Sequence, residues 1–594
     1  YVGNDFHEND YLYINKKNGT FSEENSKRIM HTSQFSMGVD VADVNNDAYP
    51  EIVSVDMLPY DPNMLRRSLG NDDYNTFQQK IFFEYTYQYA RNNLQLNRRN
   101  GMFSETGQYS GIAATDWSWG ALWMDFDNDG TKDLFISNGI PKRMNDIDYI
   151  NFISSDAIQQ KLIDKTIEET DMSLISKFPE IKIPNKFFSN TGDLVFKDVT
   201  DSIRNNIPTF SNGAVYADLD NDGDLDIVVN NINEPVLVYE NNANDKKDKS
   251  WASIKLKGPK ANINAIGAKI VLFANAGIRT YENNPVHGFL SSMQLPIHIG
   301  LYETKIDSAF LIWPDNSFQA IAIKPNEQLS LSYTTGLPKF NYESLTSFYK
   351  SKANPAEDIT SATGFDYVHV ENRFNEFDRE QLLPHMISAE GPALAIADIN
   401  KDGLEDIFIG ASKDFHNTVY LQNAEGKFIK SLQPAMLLDS MYENVDAKWV
   451  DVNNDGYTDL VIATGGNEYD GKDFRMLPLL YLNDGKGNFS KKIDAFANIY
   501  STQSSVAVYD FNKDGFEDLF IAGRAEPGNY GKMPRSFLLQ NDGTGKFTDV
   551  TINYSNDLLQ PGMVTNAQWF DIDNDNDKDL LLCYEWGGID AYIN

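Results

Sequence analysis

The sequence predicts an all-β fold assembled from β-propeller blades. Three observations carry that expectation. A nine-residue acidic pattern occurs seven times, an apolar run stands on each side of every copy, and a second motif closing on Phe precedes six of the copies at a nearly fixed distance. Self-similarity of this kind marks a repeat architecture, in which each repeat is one supersecondary unit.

The acidic copies are DVNNDAYPE (43–51), DFDNDGTKD (125–133), DLDNDGDLD (218–226), DINKDGLED (398–406), DVNNDGYTD (451–459), DFNKDGFED (510–518) and DIDNDNDKD (571–579). Like charges packed this densely repel, so a cation is expected to neutralise them. Position 1 (Asp43, Asp125, Asp218, Asp398, Asp451, Asp510, Asp571), position 3 (Asn45, Asp127, Asp220, Asn400, Asn453, Asn512, Asp573) and position 5 (Asp47, Asp129, Asp222, Asp402, Asp455, Asp514, Asp575) set side-chain oxygens on one side of a tight turn. Position 6 is usually Gly, which takes positive φ without a steric penalty. Position 7 (Tyr49, Thr131, Asp224, Leu404, Tyr457, Phe516, Asp577) offers its backbone carbonyl, and position 9 (Glu51, Asp133, Asp226, Asp406, Asp459, Asp518, Asp579) closes the turn with a carboxylate. This is the donor set of a Ca²⁺ cage, which takes about six to eight hard oxygen ligands, whereas Mg²⁺ prefers fewer protein ligands and retained water. No His or Cys lies in any copy, which excludes a zinc site of the usual kind. The expectation is therefore up to seven Ca²⁺. The 43–51 site should be the weakest, because Ala48 accepts positive φ less readily than Gly or the Asn576 of the last copy. Seven divalent ions carry fourteen positive charges and would bring the formal net charge from -35 to -21.

Before the acidic copies stand runs such as ALWM, GAVYA and VAVY, and after them DLFIS, DIVVN and DLFIA. Short runs of this composition read as buried strands. The second motif is an apolar pair, Asn, Gly and Phe, as in FSNTGDLVF (188–196), YLNDGKGNF (481–489) and LQNDGTGKF (539–547), and it reads as a hairpin. From its closing Phe to the next acidic copy the step is 21 to 24 residues. Where copies follow closely the period is 53, 59 and 61 residues, room for the four strands of a propeller blade. A β-solenoid would need shorter repeats. Two stretches, about 72–94 and 145–178, have helix-like composition and are expected to be helical excursions on a blade. Such insertions often form a binding surface.

At 594 residues, with 41% hydrophobic and 12% aromatic residues, the chain can build several packed cores. The charge of -35 and the lack of a basic face exclude a nucleic-acid binder of the usual kind. A single cysteine, Cys583, excludes an internal disulfide framework. No apolar run approaches the roughly 18 residues that a membrane-spanning helix needs. The chain opens on YVGNDFHENDYLYIN, already strand-like and without an initiator Met, so a piece of a longer, processed protein is expected.

The acidic copies with their apolar flanks resemble FG-GAP/VCBS repeats, the blade units of integrin-α-like propellers, over most of 1–245 and 360–594. NAIGAKIVLF (264–273), GFLSSMQLPIHIGL (288–301) and LIWPDNSFQAI (311–321) resemble the ASPIC/UnbV domain of cartilage-acidic-protein-like and bacterial surface proteins. LLPHMISAEGPALAIADINKDG (382–403) and TDWSWGALWMDFDNDG (115–130) resemble large outer-membrane-associated VCBS proteins. The division expected is blades with helical insertions over 1–245, a small β domain over 246–338 and further blades over 339–594. We read the blades as parts of two propellers, the alternative being one ring interrupted by an inserted domain. The resemblance implies an extracellular or cell-surface, outer-membrane-associated protein of a Gram-negative bacterium, often a lipoprotein, whose anchoring Cys would precede Tyr1.

No nucleophile elbow, zinc-protease helix, phosphate loop or Cys–His pair is present, so no catalytic residue is assigned. The seven His (7, 31, 287, 298, 369, 385, 416) are scattered. Trp117 and Trp119 are read as core rather than as a sugar platform, and Arg524 and Arg535, in a loop rich in Gly and Pro, either face a ligand or balance carboxylates. The leading expectation is a non-catalytic, calcium-stabilised surface protein that recognises a protein or glycan. The alternatives are an accessory subunit of an outer-membrane uptake or secretion complex, and a polysaccharide-degrading enzyme.

Overall fold

The apolar runs on either side of each acidic copy form neighbouring antiparallel strands, and the hairpin motif supplies the outer pair of the same sheet. In the computed structural model, which describes residues 1–6, 8–68, 70–164, 178–274, 277–348 and 356–594, the chain divides into two units, Tyr1–Ser351 and Lys352–Asn594. Among the described residues no helix is long and apolar enough to cross a membrane.

The first unit opens with a hairpin, Tyr13–Asn15 paired to Phe21–Glu23. Blade 1 follows, with strands Val39–Ala42, Glu51–Ser54, Asn93–Asn97 and Phe103–Glu105 in sheet order. Blade 2 has Ser118–Met124, Asp133–Asn138, Lys186–Asn190 and Phe196–Asp198. Blade 3 has three strands, Ser211–Ala217, Asp226–Asn231 and Leu237–Tyr239. In the second unit, blades 4, 5 and 6 start at Leu394, Asn444 and Thr502 with four strands each, and blade 7 starts at Val564 with three. Every acidic copy is the turn between the first and second strands of its blade. Within each unit the first strands of consecutive blades lie side by side, as in a propeller.

The second strands explain why the runs after the acidic copies are continuously apolar. Successive side chains of a strand point to opposite faces. Leu134 and Ile136 pack toward blade 1 with Val53, Leu94 and Phe188, while Phe135 packs toward blade 3 with Ala214 and Ile227. Phe520 and Ala522 face blade 7, and Leu519 and Ile521 face blade 5. A strand buried on both faces has no polar side to show.

Residues 251–332 form the small β domain, inside the first unit. A three-stranded sheet, Ile297–Gly300, Trp251–Lys257 and Glu327–Ser332, lies with a four-stranded one, Gly277–Glu282, Lys269–Ala274, Ile306–Ile312 and Phe318–Ile321. Ile254, Ile270, Leu272, Ile299, Leu311 and Trp313 fill its core. The stretch 72–94 is helical only over Tyr74–Phe82, since Gln88–Tyr89 and Asn93–Asn97 are strands. Tyr85, Tyr87, Tyr89 and Leu94 suit a strand as well as a helix, and blade pairing decides for the strand. An unexpected helix, Pro62–Arg67, begins at Asp61, whose carboxylate accepts the N–H groups of Asn63 and Met64. In 145–178, helices cover Ile147–Ile153 and Asp156–Ile163, and 165–177 lie outside the described residues, as does His7.

The Asn of the hairpin motif ties blades together. Asn541, at the end of the third strand of blade 6, donates its amide both to Glu517 O of its own blade at 3.1 Å and to Val452 O of blade 5 at 2.9 Å. Asn190, Asn241 and Asn483 make the same two-way bond, and Asn594 reaches Phe511 O of the preceding blade. Asn541→Ala strands the buried carbonyl of Val452 and removes the bond to Glu517 O. It is expected to lower stability by about 1–3 kcal/mol, seen as a lower denaturant midpoint, while Asn488→Ala at an exposed hairpin leaves the midpoint nearly unchanged.

Candidate metal centres

Each acidic turn is wound so that its own N–H groups point at its own carboxylates. In the 451–459 loop, Asp451 accepts the N–H of Asp455 at 3.2 Å and of Gly456 at 2.8 Å, and Asp455 accepts the N–H of Tyr457 at 2.8 Å. The 398 and 510 loops repeat this ladder bond for bond. The turn needs two left-handed residues. One is position 6, where even Ala48 (φ 69°) and Asn576 (φ 75°) comply. The other is position 4, where Asn46, Asn128, Asn221, Lys401, Asn454, Lys513 and Asn574 have φ between 53° and 62°. Position 4 is Asn in five loops, and Asn is the residue besides Gly that best tolerates this conformation.

The position-4 side chain also reaches the next loop. Asn128 donates to Gly223 O at 2.9 Å, Asn454 to Gly515 O at 3.0 Å and Asn46 to Gly130 O at 3.4 Å. Lys513 pairs with Asp577 at 2.7 Å, and the Lys401 ammonium stands 4.3 Å from the Tyr457 ring centroid. Within each unit, neighbouring loops are therefore joined at the same level.

Position 9 is buried in all seven loops. Asp459 accepts the N–H of Val452 on one oxygen and of Asn483 on the other, and Asp133 and Asp226 are held alike. These carboxylates bridge the first strand's end to the third strand. Burial, reinforced by the other carboxylates of the same loop, raises Asp459 to about 6, Asp518 to about 7 and Glu51 to about 9. The same causes raise Asp133 well above the ordinary range.

Where position 3 is Asp, three carboxylate oxygens converge. Asp125, Asp127 and Asp133 form one group within 4.8 Å, Asp218, Asp220 and Asp222 a second, and Asp571, Asp573 and Asp579 a third. In the other loops Asn45, Asn400, Asn453 and Asn512 stand at that position, offering an amide oxygen. Several buried oxygens have no hydrogen-bond partner, among them Asp218 Oδ1, Asp518 Oδ2 and Asn45 Oδ1. Convergent anionic oxygens with unanswered lone pairs fit a hard divalent cation.

The first loop differs. Asp43 Oδ2 accepts the N–H and hydroxyl of Thr280 at 3.0 and 3.1 Å, and the Arg99 guanidinium lies 3.5 Å from Asp47. Cationic and neutral donors already answer this turn. Thr280 belongs to the small β domain, which rests on the loops of the first three blades. His298 Nε2 lies 2.7 Å from Asn128 Oδ1, Tyr302 N–H donates to Asn128 O, and Arg279 crosses Gly130 so closely that a Cβ there would sit 1.7 Å from Nη1. No sequence signal ties Thr280 or Arg99 to the first loop, since both arrive from distant segments. Asn recurs at position 4 in the sequence, but only the folded turn shows its left-handed conformation. Of the other residues singled out, Trp117 is buried, Arg524 is paired with Glu390 and Glu585, and Arg535 with Asp549.

Four-stranded blades with an acidic turn after the first strand define a propeller-type repeat protein. The family described as FG-GAP-like repeat matches residues 1–54, 82–136, 398–462 and 451–521, and that described as ASPIC and UnbV matches 258–338. Integrin alpha-6 of Gallus gallus is 26% identical over 188 residues, 28% of this chain and 15% of its own length. Integrin alpha-8 of Mus musculus is 27% identical over 179 residues, 27% of this chain and 16% of its own. The chain thus spans about a sixth of the length of these curated relatives. Among solved structures, the Dos1 propeller aligns at 10% identity over 32% of this chain and 41% of its own, with a TM-score of 0.20. The V. cholerae biofilm matrix protein Bap1 aligns at 10% identity over 98% and 72%, with a TM-score of 0.14. At these TM-scores neither superposition bears on fold or function. The chain carries FG-GAP-like repeats and an ASPIC/UnbV domain, and in its repeats it is similar to integrin alpha chains.

The raised position-9 groups give a signed pH prediction. A carboxyl with a folded pKa above its unfolded value near 4 binds its proton more tightly in the folded chain. Its contribution is fully present below about pH 4 and is lost as pH rises through the folded values of about 6 and 7. In excess EDTA the melting temperature is expected to fall between pH 5.5 and 8; a melting temperature that rises over this range would contradict the assignment.

Proposed function

We propose that the chain is a non-catalytic, cell-surface binding protein whose blades are rigidified by Ca²⁺ and which recognises an extracellular protein or glycan. The observation that carries this reading is the repeated turn: seven acidic loops of one register, each with N–H groups turned toward its own carboxylates, and three of these loops bring three carboxylates together within 4.8 Å. Side chains at positions 1, 3, 5 and 9 would hold the ion together with the position-7 carbonyl. The bound ion would neutralise the loop and add its binding free energy to the stability of the fold. Ca²⁺ suits the all-oxygen set better than Mg²⁺ or Zn²⁺. The 43–51 loop, already served by Thr280 and Arg99, would bind most weakly.

The FG-GAP repeats and the integrin alpha relatives support an adhesion or ligand-binding role. A surface for it lies on the helical excursion of blade 1, which ends in Phe82 and Phe83, 80% and 69% exposed, in edge-to-face contact. Exposed aromatics in contact with each other are a common anchor of protein and glycan interfaces. We place the protein outside the cell at the outer membrane of a Gram-negative bacterium, where millimolar calcium would keep the loops loaded.

Two linked measurements test this. EDTA is expected to lower the melting temperature by at least 10 °C at pH 7.5, with Ca²⁺ restoring it and Mg²⁺ doing so only weakly. Arrays of extracellular proteins and glycans should then show binding that EDTA abolishes and Phe82→Ser/Phe83→Ser weakens, without release of reducing ends from any glycan. An unchanged melting curve in EDTA would overturn the calcium role, and glycan turnover would overturn the non-catalytic one.

A further inference from the structure

In the first unit a cavity of about 600 Å³ opens where the first strands of blades 1–3 meet the ASPIC/UnbV domain. Its size lies within the roughly 300–1,000 Å³ of small-molecule sites. Much of its wall is apolar or aromatic, from Met124, Leu225, Met293, Ile297 and Tyr216. The charged residues of the wall are what give it a preference.

Each carboxylate in the wall is already answered. Asp40 pairs with His287 at 2.9 Å and also accepts the N–H of Trp123. His287 uses its other ring nitrogen on Asn284 O, so both nitrogens are engaged, and the Asp40 carboxylate raises its pKa against the effect of burial. Asp43 takes the two Thr280 bonds and two from its own loop. Asp125 accepts from Asp129 and Gly130, and Glu282 pairs with Lys269 at 3.3 Å.

Lys132 is the exception. Its ammonium stands 3.7 Å from the centroid of the Tyr281 ring, and its acidic neighbours Asp125, Asp43 and Asp133 act on it from beyond ion-pair distance. The Tyr281 hydroxyl is buried and makes no hydrogen bond of good geometry, with Arg279 as the charged neighbour beside it. One ammonium without a carboxylate at ion-pair distance and one tyrosine whose hydroxyl has no partner therefore belong to the wall of the same cavity. A buried donor without a partner costs free energy that an incoming acceptor recovers, and a charged acceptor gains most.

We propose that this cavity binds a small organic anion, a carboxylate or sulfonate on an apolar body, with the anionic group on Lys132 and Tyr281. The site draws on the ASPIC/UnbV domain for one wall and on blade residues for the other, so neither part forms it alone. It is independent of the surface-binding role proposed above, because it lies inside the first unit and away from Phe82 and Phe83.

The test uses 8-anilinonaphthalene-1-sulfonate as the fluorescent probe on the full chain in Ca²⁺, with octanoate and octanamide as competitors. Saturable, one-to-one probe binding is expected, displaced by octanoate and not by octanamide. Lys132→Met should weaken the probe at least tenfold and Tyr281→Phe about threefold, and Met293→Trp, which fills the cavity, should abolish binding. Tyr281→Phe removes one oxygen and keeps the ring, so it decides the matter should Lys132→Met fail to fold. Equal displacement by octanamide, unchanged affinity in both Tyr281→Phe and Lys132→Met, or no saturable binding by the native chain would overturn the proposal.

Discussion

The structure depends on how a nine-residue turn accommodates its own negative charge. Each acidic loop aims backbone N–H groups at the side-chain oxygens of positions 1 and 5, as in the 451–459 loop. Those bonds fix the backbone, and the fixed backbone in turn concentrates the carboxylates. Partial positive charge on the N–H groups offsets only part of that repulsion. Burial first, and neighbouring carboxylates after it, push Asp125, Asp459 and Asp518 above the ordinary range. A divalent cation, as proposed above, would complete this balance.

The same turn organises the blades. Position 9 is drawn into the sheet, where it joins the first strand to the third, and the third-strand Asn passes the connection to the preceding blade. Position 4 passes it to the following blade. Apolar packing between blades is non-directional and would tolerate sliding. Hydrogen bonds at the level of the loops set the register that packing leaves free.

Much of this was legible in the sequence, and the reasons are local. The turn chemistry, the strands on either side and the hairpin Asn all lie within a few residues of one another, so spacing alone revealed the blade. The apolar run DLFIA at 518–522 announced a strand buried on both faces, as Phe520 and Ile521 proved to be. What escaped was long-range. Thr280 and Arg99 reach the first loop from other segments, and Lys132, inside an acidic motif, turns out to be part of a cavity wall. The 72–94 stretch was misread because Tyr and Phe serve both helix and strand, and only pairing with blade 1 separates Tyr74–Phe82 from Asn93–Asn97. The Asn at position 4 was present in plain repetition, but its left-handed conformation is set by the whole turn and shows only in the folded backbone.

Metal in the turns is the claim on which the account stands, and anomalous diffraction from crystals grown in Ca²⁺ or Tb³⁺ addresses it most directly. Peaks are predicted in the loops at 125, 218, 398, 451, 510 and 571, each at about 2.3–2.6 Å from the oxygens of positions 1, 3 and 5 for Ca²⁺, with the weakest or no peak at 43. Loops without anomalous density at saturating ion, or with density only at surface carboxylates elsewhere, would contradict it.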